Sequence, residues 1–365
     1  MKILILSNSI AGMLHFRIEL MRELTRRDHQ VYLDAPYDYS VESLNEFGVN
    51  TIECKVLEKH GRNPFKDLKI LAHYSNIIER IKPNIVLTYT IKPNIYGGFV
   101  SFLKGIPFLA NITGLGDAIE SKTLFSSCLL RAYLFVLTRA SVIFFQNKSN
   151  MHLFTSRGLE VNKCILLPGS GVNLERYQLT PYPSDDDGFV FLTAGRMVRD
   201  KGIDELLETA ALIHERGVPC RFVLVGPADE LYRDILSEHD SKGIIEYASF
   251  QEDIRPWIRD CHALIQPSYH EGMSNICLEA AAMGRPLIAT LIPGCQETFI
   301  DGVTGMGFAV KNSDALINSI ERFVSMPWEQ RRSMGFLGHE KVSREFDRKL
   351  VVDRYIDAIE RITQR

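Results

Sequence analysis

The sequence predicts an α/β protein made of two doubly wound parallel-sheet domains, and three observations carry that prediction. At 365 residues the chain exceeds one ordinary domain and suits two, since domains run to roughly 100–200 residues. Short apolar or β-branched runs alternate with longer amphipathic segments, which is the pattern of βαβ units. A breaker stretch around residues 180–188 interrupts that alternation, which then starts again.

In the first half the expected strands are Lys2–Ser7, Val31–Ala35, Asn50–Val56, Ile85–Tyr89, Phe108–Ile112, Val142–Gln146 and Cys164–Leu167, with helix-length segments between several of them. The stretch Thr180-Pro181-Tyr182-Pro183-Ser184-Asp185-Asp186-Asp187-Gly188 holds two prolines, a run of acids and a glycine, so it suits neither a helix nor a central strand. Residues 1–180 are therefore assigned to the first domain and 181–188 to a linker. The second domain, 189–346, restarts with Phe189–Ala194 and a helix from about Ile203, followed by strands Arg221–Val225, Ile244–Ala248, Ala263–Gln266 and Pro286–Ala289. From Asp347 to Thr363, apolar residues at Leu350, Val351, Tyr355, Ile356, Ile359 and Ile362 recur at helical spacing, so 347–365 is a terminal amphipathic helix. Open α/β sheets bind ligands at the carboxyl ends of their strands, and two such domains facing each other are expected to enclose the chemistry in a cleft.

Composition narrows the class. With 45% hydrophobic and 24% charged residues the chain is neither disordered nor fibrous. Seven scattered cysteines, none in a CxxC pair or beside suitably spaced histidines, argue against a disulfide framework or a zinc site and fit a reducing cytoplasm. The apolar start, Ile3 to Leu6, is too short for a signal peptide. Leu124 to Leu137 is broken by Arg131 and falls short of the ~20 residues that span a bilayer. With Arg131 and Arg139 it is either an amphipathic helix lying on a membrane or a core helix with a snorkelling arginine. Residues 1–180 hold 21 Lys/Arg against 15 Asp/Glu, or +6, so the overall −3 leaves −9 for the rest. A positive half concentrates anions such as a phosphate-bearing acceptor or a lipid head group, the alternative being chance surface composition.

Two loops carry chemistry. Gly195-Arg196-Met197-Val198-Arg199-Asp200-Lys201-Gly202 follows a strand and enters a helix, and the cations Arg196 and Lys201 can close on two phosphates and stabilise a leaving diphosphate. Glu271-Gly272-Met273-Ser274-Asn275-Ile276-Cys277-Leu278-Glu279 follows the strand Ala263–Gln266. Ser274 is the expected cap of a helix to Met283, whose first amide groups near Met273, Ser274 and Asn275 suit a phosphate. Glu271 before that helix and Glu279 inside it can each accept bonds from sugar hydroxyls.

Together these loops make the chain resemble the retaining glycosyltransferases of family 4, which have the GT-B fold, over essentially its whole length. The resemblance implies that Arg196 and Lys201 bind the donor diphosphate, that Glu279 holds the ribose hydroxyls, and that Glu271 contacts the transferred sugar. It also implies that Gly226 and Ile254 lie in the loops that take the base, and that the terminal helix crosses back to the N-terminal domain. The N-terminal half is similar to bacterial enzymes that extend a lipid-diphosphate-linked sugar, on the loops Gly12-Met13-Leu14-His15-Phe16-Arg17 and Thr113-Gly114-Leu115-Gly116-Asp117. Gly12 permits close approach of the donor, and His15 and Arg17 are acceptor-side or phosphate-holding candidates, with capping or packing open for His15. Asp117 contacts the acceptor hydroxyl or caps the next helix. Many family members carry a histidine in that loop and this chain has none.

The expectation is thus a glycosyltransferase of the hexosyltransferase class that acts with retention. It would move a hexose or N-acetylhexosamine from a nucleoside-diphosphate sugar, UDP foremost, to a polyprenyl-diphosphate-linked saccharide in cell-surface polysaccharide or glycan assembly. It would do so in the cytoplasm, with peripheral contact at the inner membrane face, no cofactor, no metal and no nucleic-acid partner. A GT-B nucleotide-sugar epimerase and a non-catalytic nucleotide-sugar-binding protein are the alternatives. A dehydrogenase is disfavoured because the turn Ser7 to Gly12 lacks G-x-G-x-x-G, and a hydrolase because no acid and base flank one bond.

Overall fold

Ile3, Leu4, Ile5 and Leu6 are fully buried, as are Ile85, Val86 and Leu264, because a central strand of a parallel sheet is covered on both faces. The computed structural model describes residues 1–57, 64–114 and 124–364. Its strands are β1 (Lys2–Leu6), β2 (Gln30–Ala35), β3 (Asn50–Glu53), β4 (Ile85–Tyr89), β5 (Phe108–Ile112), β6 (Val142–Phe145) and β7 (Cys164–Leu166). They are followed by β8 (Phe189–Ala194), β9 (Cys220–Val225), β10 (Glu246–Ala248), β11 (Ala263–Gln266), β12 (Leu287–Thr290) and β13 (Gly305–Phe308). The first seven form one sheet in the order β3-β2-β1-β4-β5-β6-β7 and the last six another in the order β10-β9-β8-β11-β12-β13, with every neighbouring pair parallel. Each order reverses once, between β1 and β4 and between β8 and β11, which is the switch point of a doubly wound sheet. This is the GT-B architecture of two Rossmann-like domains.

Strand β13, Gly305-Met306-Gly307-Phe308, has no β-branched residue and was not expected from the sequence. Its glycines answer to packing: a Cβ on Gly305 would come within 2.5 Å of the Leu287 carbonyl oxygen, and one on Gly307 within 2.4 Å of the Leu291 side chain.

The chain divides into two compact units, Met1–Ser170 with Lys349–Arg365, and Gly171–Arg348. The helix Arg348–Thr363 places Val351, Tyr355, Ile356 and Ile359 in the core of the first unit. There the Tyr355 ring lies 4.2 Å from that of Phe144, and the buried Arg17 guanidinium sits 5.5 Å from the Tyr89 ring and 5.7 Å from the Tyr355 ring. The acid- and proline-rich stretch 180–188 is fastened within the second unit. Buried Arg285 donates to the Pro181 carbonyl and the Thr180 hydroxyl at 2.7 and 2.8 Å, Trp328 Nε1 donates to the Pro183 carbonyl at 2.7 Å, and Arg331 pairs with Asp185. Among the described residues no helix is long and apolar enough to cross a membrane.

Because Tyr355 is 1% exposed and joins Arg17, Tyr89 and Phe144, Tyr355→Ala is expected to destabilise the first unit by about 3–5 kcal/mol. Denaturant unfolding of the variant against the wild type measures this, and a loss below about 1 kcal/mol would contradict the packing described.

Candidate active site

At the switch point of the second sheet the loops after β8 and β11 leave the strand ends in opposite directions, and the two sequence-singled motifs lie on these loops. Backbone packs directly on backbone there. Gly226 (φ 141°) follows β9, and a Cβ on it would fall 1.8 Å from the Gly195 carbonyl oxygen. The Gly195 amide donates to the Val225 carbonyl at 2.9 Å, and the Gly226 amide to that of Ala248 at 2.9 Å. Gly202 (φ 69°) has the left-handed backbone that ends a short turn over Arg199–Lys201 and starts the helix Ile203–Glu215, and a Cβ there would lie 2.2 Å from the Pro267 carbonyl oxygen. The Tyr269 amide donates to the Asp200 carbonyl at 2.8 Å, closing one loop onto the other.

Lys201 and Glu271 meet across this junction. Lys201 Nζ lies 2.5 Å from Glu271 Oε1, with the two side chains 24% and 13% exposed. The same oxygen accepts from Gln266 Nε2 at 2.9 Å and from Ser268 Oγ at 2.9 Å. Arg196 is exposed on the same loop and has no ion-pair partner among the described residues. The loop beyond Glu271 is backed by Gly294, where a Cβ would meet the Glu271 carbonyl oxygen at 2.6 Å, and whose own carbonyl accepts from the Ser274 amide at 2.8 Å.

Ser274 stands at the cap position of the helix Asn275–Ala282, but its side chain accepts no capping bond. Its buried hydroxyl and Asn275 Oδ1 have no hydrogen-bond partner among the described residues, and the first turn carries no acidic residue. The first-turn amides are therefore left to an outside acceptor, which favours an anion. The helix Ile203–Glu215 differs, since Asp204 and Glu205 already occupy its first turn. Met273 is buried, Gly272 partly so, and Ile254 caps the short helix Arg255–Asp260 while packing on the core of this unit.

Glu279 lies inside the helix Asn275–Ala282, surrounded by protein yet partly exposed. Desolvation pushes its carboxyl up from 4.5 to about 7, against the pull of the Arg348 guanidinium, the Tyr177 hydroxyl and Arg176. Tyr177, Arg176 and Arg348 belong to no motif, and no signal in the sequence marks them as neighbours of Glu279. Gln266 and Ser268 were likewise not singled out, although Gln266 ends an expected strand and Ser268 stands in the loop that follows it.

In the first unit the helix Ile10–Arg26 begins beside β1. Its first amides are already engaged: Ile10 and Ala11 donate to Asp38 Oδ1 at 2.7 and 3.2 Å, and Gly12 donates to Ser9 Oγ at 3.0 Å. His15 is exposed on this helix near Tyr39. Arg17, 3% exposed, is enclosed between aromatic rings, and its Nη1 donates to the Phe16 carbonyl at 2.7 Å, so burial turns it into the core instead of towards a phosphate in solvent. Asp117 lies outside the described residues.

Residues 188–326 match the family model of the glycosyl transferases group 1, and residues 2–147 that of the glycosyl transferase 4-like proteins. The chain is similar to the N,N'-diacetylbacillosaminyl-diphospho-undecaprenol alpha-1,3-N-acetylgalactosaminyltransferase of Campylobacter jejuni, 24% identical over 99% of both chains. It is 24% identical to the capsular polysaccharide biosynthesis glycosyltransferase CapM of Staphylococcus aureus, over 92% of this chain and 90% of that one. Among solved structures, Anabaena HepE in complex with UDP and glucose superposes with a TM-score of 0.78 at 18% identity, over 99% of both chains.

Two outcomes are expected from this geometry. Gly226→Ala should destabilise the second unit by roughly 2 kcal/mol or more, measured by denaturant unfolding, because both its φ and the Gly195 carbonyl exclude a Cβ. For Glu279, between about pH 4.5 and 7 the folded chain keeps a proton that the unfolded chain has released, so this group's contribution to stability falls as pH rises through that window. The wild type should accordingly lose on the order of 1–2 kcal/mol relative to Glu279→Gln between pH 5 and 8. A difference independent of pH would contradict the raised carboxyl.

Proposed function

Since the chain belongs to the group 1, family 4-like glycosyltransferases, whose models match both of its halves, we propose that it transfers a hexose or N-acetylhexosamine, with retention, from a UDP-sugar to a polyprenyl-diphosphate-linked saccharide. The observation that carries this reading is the Lys201–Glu271 pair, set at the second sheet's switch point beside a helix whose first turn lacks an acid. Activity as a glycosyltransferase follows from the family. Donor and acceptor are drawn from the Campylobacter relative, whose name gives an undecaprenol-diphosphate-linked acceptor, and from the Anabaena structure, which holds UDP.

In this reading the guanidinium of Arg196 and the ammonium of Lys201 take the two phosphates, and the amides at Met273 and Asn275 take the remaining phosphate oxygens, the Ser274 amide being already bonded to the Gly294 carbonyl. Charge develops on the diphosphate as the bond from the anomeric carbon to its oxygen breaks, so fixed cations there lower the barrier. Glu279 holds the ribose hydroxyls and Glu271 the transferred sugar, while the backbone around Gly226 and Ile254 receives the base. The acceptor hydroxyl attacks the anomeric carbon from the face the diphosphate leaves, and its proton passes to the departing phosphate oxygen. Gly12 is a donor-binding candidate and His15 an acceptor-side one. An apolar patch on that unit, Phe102, Leu103 and Phe135 at 44, 65 and 50% exposure with Arg139 stacked 3.6 Å over Phe135, supports peripheral contact with an anionic membrane surface.

The test combines a thermal-shift screen of UDP-, ADP- and GDP-sugars with transfer to an undecaprenyl-diphosphate-linked saccharide. A UDP-sugar should stabilise the chain by mass action and its sugar should appear in the lipid fraction with its anomeric configuration kept. Arg196→Ala and Lys201→Ala should each lower turnover by about 10²-fold or more. Unaltered turnover in both variants would remove the diphosphate assignment. Alteration of the donor sugar without acceptor would favour the epimerase, and binding without turnover the sensor.

A further inference from the structure

Glu271 is held unevenly. Its Oε1 accepts three donors, Lys201 Nζ at 2.5 Å and Gln266 Nε2 and Ser268 Oγ at 2.9 Å, while Oε2 has no partner among the described residues. A carboxylate offers about two lone-pair sites on each oxygen, so ion pairing alone does not require this crowding on one side.

The two neutral donors stand on backbone that cannot easily shift. Gln266 is the last residue of β11 and is paired with Ala289 of β12. The buried Thr193 hydroxyl donates to the Ile265 carbonyl at 3.0 Å, and the buried Thr290 hydroxyl to the Ser268 carbonyl at 2.7 Å. Gln266 Nε2 also donates to Ser268 Oγ at 2.7 Å, so the amide and the hydroxyl form one unit behind the carboxylate. The amide orientation is fixed by its neighbour, because turning it over would set its carbonyl oxygen against a carboxylate oxygen.

That orientation has a cost. Gln266 is 4% exposed, and its Oε1 is buried with no partner among the described residues. A buried unsatisfied carbonyl costs about 1–3 kcal/mol, which a side chain serving packing alone would not need to carry. Neutral donors also leave the carboxylate its charge, whereas a second cation would cancel it.

We propose that Gln266 and Ser268 are positioning residues which, with Lys201, saturate Oε1 of Glu271 and so present Oε2, still anionic, to a hydroxyl of the transferred sugar. This rests on the assignment of Glu271 to the sugar. It extends that assignment to two side chains that touch no substrate and act through Glu271.

The experiment is a double-mutant cycle read in kcat and KM, with UDP-N-acetylgalactosamine as donor, or UDP-glucose if the chain turns over that donor instead, and with UDP alone as a sugar-free ligand. Gln266→Ala should lower kcat about tenfold and leave UDP affinity unchanged, since misplacement of a contact group costs rate. In the Glu271→Gln background the same change should add less than about twofold, because the group it aims is already altered. Gln266→Glu keeps the volume but opposes two carboxylates, so it should lose activity at pH 8 and recover part of it as the pair takes up a proton at lower pH. Full activity of Gln266→Glu at pH 8, or losses that multiply in the double variant, would overturn the positioning role. Unchanged kcat and KM in Glu271→Gln alone would instead overturn the underlying assignment of Glu271 to the sugar.

Discussion

The ion pair between Lys201 and Glu271 joins two loops that leave neighbouring strands in opposite directions, and the order of the site follows from it. Lys201 comes from the turn after β8 and Glu271 from the loop after β11, so one contact spans the switch point of the sheet. Both side chains are mostly shielded from water, where a charge without its partner is costly and the pair holds its geometry. Its worth lies less in net stability than in fixing where an ammonium and a carboxylate stand before any ligand arrives. Around it the backbone leaves no slack: Gly226 against Gly195 and Gly202 against Pro267 approach more closely than a side chain permits.

Neighbouring helices in this unit divide the electrostatic work. The helix Ile203–Glu215 spends its N-terminal field on its own Asp204 and Glu205, while Asn275–Ala282 has no acid in its first turn and no capping bond from Ser274. Neither helix start has a side-chain capping bond, and of the two only Asn275–Ala282 lacks an acid in its first turn. Glu279, farther along that helix, has its carboxyl pKa raised by desolvation, against the pull of Arg348, Tyr177 and Arg176. The first unit shows the opposite arrangement. There Asp38 and Ser9 already cap the helix Ile10–Arg26, and Arg17 is sealed between Tyr89 and Tyr355, so its anion-binding devices are turned to holding the domain together.

At 24% identity over nearly the full length, the likeness to the Campylobacter enzyme leaves few side chains in common, yet both sheets are built to the same plan as in Anabaena HepE. A parallel sheet asks only for apolar, β-branched strands of suitable length, which many sequences satisfy. Charged groups are more particular: Arg196, Lys201 and Glu271 stand in the loops after β8 and β11, and Glu279 inside the helix Asn275–Ala282.

By itself the sequence determined the class of fold and the chemistry of its two loops. Buried parallel strands write themselves as continuous apolar runs, and glycine-bounded loops with charged residues show at strand ends. It could not show β13, whose glycines are chosen by the nearness of Leu287 and Leu291 and not by strand propensity. Nor could it show that Tyr177 and Arg348 would surround Glu279, or that Gln266 and Ser268 would share an oxygen with Lys201. It placed Arg17 among groups facing a phosphate, and only the packed core revealed the aromatic rings that enclose it. Periodicity and motif spacing record what each segment does locally. Which side chains meet across segments depends on strand order and helix packing, and those are settled only when the whole chain folds.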